Sequence, residues 1–194
     1  MSITTYIIDD ESQARERMVY LIKNFFYKSL QILGQSGKPK EALEQVLRLT
    51  PEILFLDVEM PLMSGFELLH QLQTNGYRGK IVFVTAYDHY SIKAIRANAF
   101  DYLVKPVDVD ELRQCINRYS RTVEQEFNET VIRNFDLSKR EMEIIVHLAK
   151  GLSSEEVAAE MFLSRHTVDT HRRNIHTKTG TRNSVELLNL LRGK

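Results

Sequence analysis

Five short apolar runs punctuate the first part of the chain, and each is followed by polar or small residues. Tyr6-Ile7-Ile8 gives way to Asp9-Asp10, Leu30-Gln31-Ile32-Leu33 to Gly34, and Ile53-Leu54-Phe55-Leu56 to Asp57. Ile81-Val82-Phe83-Val84 gives way to Thr85, and Tyr102-Leu103-Val104 to Lys105-Pro106. Continuous apolar runs of this length suit strands buried on both faces of a parallel sheet. The stretches between them carry a helical period, over roughly 12–27, 38–49, 65–74, 88–97 and 108–122. Five βα units predict an α/β fold, a doubly wound five-stranded parallel sheet. The ligand site of such a sheet lies beyond the carboxyl ends of its strands. Four of the five runs end there in a residue with chemistry: Asp9/Asp10, Asp57, Thr85 and Lys105.

The last part of the chain has no strand-like run. It repeats a helix-start pattern instead: Leu137-Ser138-x-x-Glu141, Leu152-Ser153-x-x-Glu156, and the variant Leu163-Ser164-x-x-Thr167. A serine at the N-cap accepts from an orphan N–H, and a glutamate three residues on reaches back. Ser64-x-x-Glu67 repeats the device in the first part. The spacing predicts an all-α, tetra-helical domain with helices at about 138–150, 153–160, 164–178 and 183–191, with Gly151 and Gly180 as terminators. Only Met161-Phe162-Leu163 separates the second and third helices, a helix-turn-helix spacing.

Composition sharpens this division. The 194 residues hold 26 basic and 26 acidic side chains, 43% hydrophobic residues and a single cysteine, Cys115. One cysteine excludes an intramolecular disulfide framework and a multi-cysteine zinc site. No apolar run reaches the length of a membrane span, and the N-terminus has no signal-peptide pattern, so a soluble, cytoplasmic protein with no membrane partner is expected. Overall neutrality conceals a gradient. Residues 1–120 hold 14 basic and 15 acidic side chains, 121–136 hold 2 and 4, and 137–194 hold 10 and 7. The expected domains are 1–122 and 135–194, joined by a connector at 123–134 that has no proline or glycine and so can extend the preceding helix.

In the flavodoxin-like strand order 2-1-3-4-5 the first and third strands are neighbours, which would crowd Asp9, Asp10 and Asp57 into one pocket. Clustered carboxylates suit a hard divalent cation such as Mg²⁺, which bridges a carboxylate and a phosphoryl group. Helix capping explains Asp9-Asp10 taken alone. It does not explain Asp57, Thr85 and Lys105 at the other strand ends.

With those residues in order, the first part resembles a response-regulator receiver domain of CheY-like fold. The match rests on Asp9-Asp10, Asp57-Val58-Glu59-Met60-Pro61-x-Met63-x-Gly65, Thr85-Ala86, Tyr102 and Lys105-Pro106. The resemblance implies that Asp57 accepts phosphate from a sensor histidine kinase. It implies that Asp10, Asp57 and the Glu59 carbonyl ligate Mg²⁺, with Asp9 acting through water. Thr85 would bond a phosphoryl oxygen, Lys105 would pair with the phosphate, and Thr85 and Tyr102 would move together as the switch. The Lys105–Pro106 bond would be cis, and Glu59 and Tyr87 would flank the phosphorylation site. The stretch from Phe83 to Pro106 is similar to receivers usually joined to a LytTR-type output, yet a different output follows here.

Residues 161–182 hold five basic side chains (Arg165, Arg172, Arg173, Lys178, Arg182) against Asp169, a net +4, whereas 137–160 hold three basic and five acidic. Positive charge confined to one helix and its exit is the footprint of a helix laid on DNA. The segment resembles a LuxR/FixJ-type output domain through Leu137-Ser138-x-Arg140-Glu141, Gly151-Leu152-Ser153, Val157-Ala158, Leu163-Ser164, Thr167-Val168, His171, Asn174-Ile175 and Lys178. Expected DNA contacts are Arg165, His166, Thr170, Arg172, Arg173 and Lys178, with Val168 and Ile175 facing the core. His166, His171 and His176 are five apart, a spacing that drifts around a helix and does not suit zinc. The resulting expectation is a phosphorylation-controlled regulator that is a homodimer when active and binds two half-sites on double-stranded DNA. Its rivals are a DNA-binding regulator indifferent to phosphorylation, a Mg²⁺-dependent phosphohydrolase, and a module whose basic helix meets an acidic protein.

Overall fold

The computed structural model describes residues 2–86 and 99–191, and the chain divides into two compact units, Met1–Asn117 and Arg118–Lys194. In the first unit, β1 (Ile3–Ile8), β2 (Leu30–Ser36), β3 (Ile53–Leu56), β4 (Lys80–Thr85) and β5 (Asp101–Val104) form one parallel sheet in the order β2-β1-β3-β4-β5. This is the flavodoxin-like order on which the expected acidic pocket rests. α1 (Ser12–Phe25), α2 (Pro39–Leu49) and α3 (Gly65–Thr74) connect the strands, and α4 (Val109–Phe135) follows β5. The helix expected at 88–97, and Tyr87, lie outside the described residues.

The apolar runs form strands because both sheet faces are covered. Tyr6 and Ile8, Leu54 and Leu56, and Ile81 and Phe83 share one face with Ala42 and Val46 of α2 and Leu68, Leu69 and Leu72 of α3. The alternate positions Ile7, Phe55, Val82 and Val84 are equally buried. Each such aliphatic side chain removed from water contributes about 1.5–3 kcal/mol. Gly34 does not end the second strand as its position suggested, for β2 continues to Ser36. Its role is spatial. Gly34 pairs with Tyr6, and a Cβ there would lie 2.7 Å from Tyr6 Cε2.

The second unit contains the last part of α4, then α5 (Lys139–Ala149), α6 (Ser154–Glu160), α7 (Arg165–Thr179) and α8 (Ser184–Leu191). Ser138 and Ser153 close full capping boxes with Glu141 and Glu156, as Ser64 does with Glu67 in the first unit. Ser164 accepts from the Thr167 N–H at 3.0 Å. Gly151 and Gly180 take φ of 86° and 68°, the left-handed region that a terminator needs. Val168 and Ile175 are fully buried among Val131, Ile144, Ile145, Val157 and Leu187. α4 runs unbroken through the expected connector, and Val131 near its end belongs to this core.

Candidate functional site

Strand pairing builds the acidic pocket. Ile8 of β1 lies beside Leu56 of β3, and the Asp57 N–H donates to the Ile8 carbonyl at 2.8 Å. Asp9, Asp10 and Asp57 therefore leave adjacent strand ends, and one carboxylate oxygen from each lies within 4.8 Å of the others. Asp9 and Asp57 are buried, and Asp10 is less so. β5 brings in the cation. Thr85 pairs with Val104, and the Lys105 N–H donates to the Thr85 carbonyl at 2.8 Å. The Lys105 ammonium then reaches Asp9 Oδ2 at 2.7 Å and Asp57 Oδ2 at 2.9 Å, with Glu11 at 3.8 Å. The Lys105–Pro106 bond is cis.

The other oxygens are oriented by backbone. Asp57 Oδ1 accepts from the Val58 N–H at 2.7 Å, and Asp9 Oδ1 accepts from the Glu11 N–H at 3.0 Å. Burial pushes the Asp9 carboxyl above its ordinary value, and the Asp57 charge adds to this; Lys105 and the Glu11 N–H oppose them without prevailing. Burial alone would lower Lys105. Its hydrogen bonds to Asp9 and Asp57, and their charges, outweigh burial and hold the ammonium above the ordinary lysine value. Three aspartates against one lysine leave a formal charge of −2, which a divalent cation would cancel. The donors are all hard oxygens with room for water, so they fit Mg²⁺.

Thr85 is buried at the end of β4, one strand over from Asp57. Tyr102 is half-buried opposite Phe83 and packs on the core between α2, α3 and the sheet. Glu59 is exposed two residues past Asp57, on a cleft shared with Asp10, Val58, Met60, Pro61 and Phe66. Gly65 fixes this loop. A Cβ on it would lie 2.1 Å from the Asp57 carbonyl oxygen.

One pocket residue escaped the sequence reading. Arg15 Nη1 donates to the Asp9 carbonyl at 2.7 Å and the Asp10 carbonyl at 3.0 Å, clamping the acidic loop from behind. Gly37 leaves the space, since a Cβ there would lie 2.7 Å from that nitrogen. Backbone acceptors have no sequence signature, so nothing marked Arg15 beyond its place on α1.

On α7 the expected DNA contacts divide into two groups. Arg165, His166 and Arg173 are exposed. Arg165 pairs with Glu155 of α6 and lies 3.6 Å from Asp169. Thr170 Oγ1 donates to the His166 carbonyl and accepts from Arg173 Nη2. Arg172, by contrast, donates to Ser154 Oγ and Ser184 Oγ, tying α7 to the starts of α6 and α8. Lys178 Nζ donates to the Asp136 carbonyl at 2.8 Å and to the buried Glu141 at 2.9 Å, tying α7 to the start of α5. Glu141 was legible as a cap but not as the partner of Lys178, 37 residues away.

Comparison with known proteins finds a family model for each of the two units. Residues 5–117 match the family model described as response regulator receiver domain, and residues 136–191 match that of bacterial regulatory proteins, luxR family. An uncharacterized response regulatory protein of Vibrio cholerae is 40% identical over 119 residues, covering 61% of this chain and 49% of that protein. The transcriptional regulatory protein BtsR of Salmonella typhi is 40% identical over 116 residues, covering 60% and 47%. The chain thus spans about half the length of the curated relatives it matches. A solved LuxR-family DNA-binding response regulator from Staphylococcus aureus superimposes with a TM-score of 0.54 at 28% identity, covering 60% of this chain and 98% of that one.

Proposed function

The chain belongs to the response regulators, a receiver domain joined to a LuxR-type regulatory domain, and from this we propose that it controls transcription by binding DNA under the control of phosphorylation at Asp57. The observation that carries the reading is the Lys105 ammonium set between Asp9 and Asp57 at the carboxyl ends of adjacent strands. A sensor histidine kinase is the phosphodonor. An Asp57 oxygen bonds to phosphorus as the phosphorus–nitrogen bond of the kinase phosphohistidine breaks, and the electron pair leaves with the imidazole nitrogen. Val58 N–H and Lys105 orient the carboxylate, Lys105 offsets the incoming charge, and the Thr85 hydroxyl donates to a phosphoryl oxygen. Asp9, Asp10, Asp57 and the Glu59 carbonyl would hold Mg²⁺, which when bound neutralises charge on the transferring group. Tyr102 follows Thr85 as the pocket closes. The outcome is a shift in a two-state receiver, and with it homodimerisation and engagement of two DNA half-sites. The site is a switch in the cytoplasm, with slow self-dephosphorylation as its only turnover. Among the described residues no helix is long and apolar enough to cross a membrane.

Arg165, His166, Thr170 and Arg173 reach the duplex from α7. Arg172 and Lys178 chiefly fix that helix, each lending its remaining N–H groups to phosphate. Incubation with a small-molecule phosphodonor and Mg²⁺, followed by intact-mass measurement, tests the receiver half. One added phosphoryl group is expected, and none in Asp57→Asn; phosphate retained in that variant contradicts the assignment.

A further inference from the structure

Four non-glycine residues among those described have positive φ: Thr50, Leu62, Asp136 and Phe162. Phe162 stands in the turn between α6 and α7 with φ 53° and 96% of its surface exposed. Both properties are costly. A left-handed backbone crowds a bulky side chain, and an exposed phenyl ring leaves apolar surface in water. Its neighbours on either side, Met161 and Leu163, pack against the helical core, while Phe162 points away from it. The turn offsets the first cost, for with Phe162 left-handed the Leu163 N–H donates to the Ala158 carbonyl at 2.9 Å and the Phe162 N–H to the Ala159 carbonyl at 3.4 Å, which closes α6. Among the described residues nothing covers the ring.

We propose that Phe162 makes an apolar contact with a thymine methyl group in the major groove, adding sequence preference to the charge-based contacts of α7. This rests on the DNA-binding reading above. Phe162 precedes the Ser164 cap by two residues and Arg165 by three, in a segment of five basic residues and one acid. The start of the second helix of a helix-turn-helix is the part that meets base edges. The thymine methyl is the apolar group exposed there, and phenylalanine is among its partners. Leu62 shares the backbone conformation and is wholly exposed, but it stands between Glu59 and Glu67, whose charge repels a duplex.

The test uses the full chain, incubated with the small-molecule phosphodonor and Mg²⁺, and short duplexes that it recovers from a randomised pool. Phe162→Asn places a residue tolerant of the left-handed region at this turn, so the thermal midpoint is expected to rise. Affinity for the recovered duplex is expected to fall several-fold, with an unchanged dependence on salt because no charge is lost. Replacing thymine by uracil removes the methyl. It should weaken the native chain about as much as the substitution does, and weaken Phe162→Asn no further. Equal affinity of native and variant chains, a lowered thermal midpoint, a shallower salt slope, or full additivity of the two changes would each overturn the contact. A variant altered only in binding a second copy or a protein partner would overturn it in favour of that occupant. A native chain that recovers no duplex overturns the DNA reading itself, and Phe162 with it.

Discussion

At the scale of single residues, the pocket depends on two kinds of feature, and only one was visible beforehand. Asp9, Asp10, Asp57, Thr85 and Lys105 were legible because each ends an apolar run, and parallel strands bring such ends together. Arg15 was not, because its partners are the carbonyls of Asp9 and Asp10 and any sequence supplies carbonyls. Gly65 stood within a recognisable motif, but its reason is spatial. An added Cβ would lie 2.1 Å from the Asp57 carbonyl oxygen, so backbone must move. Gly65→Ala should therefore cost about 1–3 kcal/mol, the usual range for overpacking. Urea denaturation reads that loss. The same variant should accept phosphate at least about tenfold more slowly at saturating Mg²⁺, since displacement of a reacting group by an ångström is costly.

At the scale of elements, the serine caps were legible because the pattern that starts a helix is local. That the last receiver helix could run on was legible from the lack of proline and glycine at 123–134, but how far it runs was not. α4 continues to Phe135, and Val131 near its end packs in the core of the second unit, a tertiary contact that the local pattern does not contain. α5 shows how a cap gains a second duty. Glu141 is buried, closes the box on Ser138 and accepts from Lys178 of α7. Burial alone would raise its carboxyl, but the Lys178 hydrogen bond, the Ser138 N–H and hydroxyl and the Lys178 charge together hold it below the ordinary glutamate value. A depressed carboxyl stabilises the fold above its unfolded value and loses that contribution as pH falls through the folded one. Glu141→Gln should thus lower stability at neutral pH by about 2 kcal/mol, as expected for a charge-assisted hydrogen bond. Urea midpoints taken down a pH series should converge for the native chain and the variant below the ordinary glutamate range. A constant gap would mean that the Glu141 charge does not matter.

At the scale of the whole molecule, zero net charge is the sum of unlike parts, with a net +4 over residues 161–182. The count of basic residues predicted a DNA face. Which of them are available to phosphate depends on packing, which a count does not contain. Arg173 is exposed, whereas the Arg172 guanidinium bridges Ser154 and Ser184. The two neighbours should therefore respond differently. Arg173→Ala should reduce the slope of log affinity against log salt by about 0.9, one phosphate contact. Arg172→Ala should chiefly cost stability, about 2 kcal/mol for its charge-assisted hydrogen bonds. Affinity measured across a salt series, paired with thermal unfolding, separates these outcomes.

The placement of Lys105 has one further consequence. With its ammonium between Asp9 and Asp57, the pocket already contains a counterion. Binding a divalent ion there would be an exchange reaction, in which a tethered cation yields part of its ground to a diffusible one. A chelator should consequently silence the receiver without unmaking it: stripped of metal, the acidic loop keeps a resident ion that cannot be dialysed away.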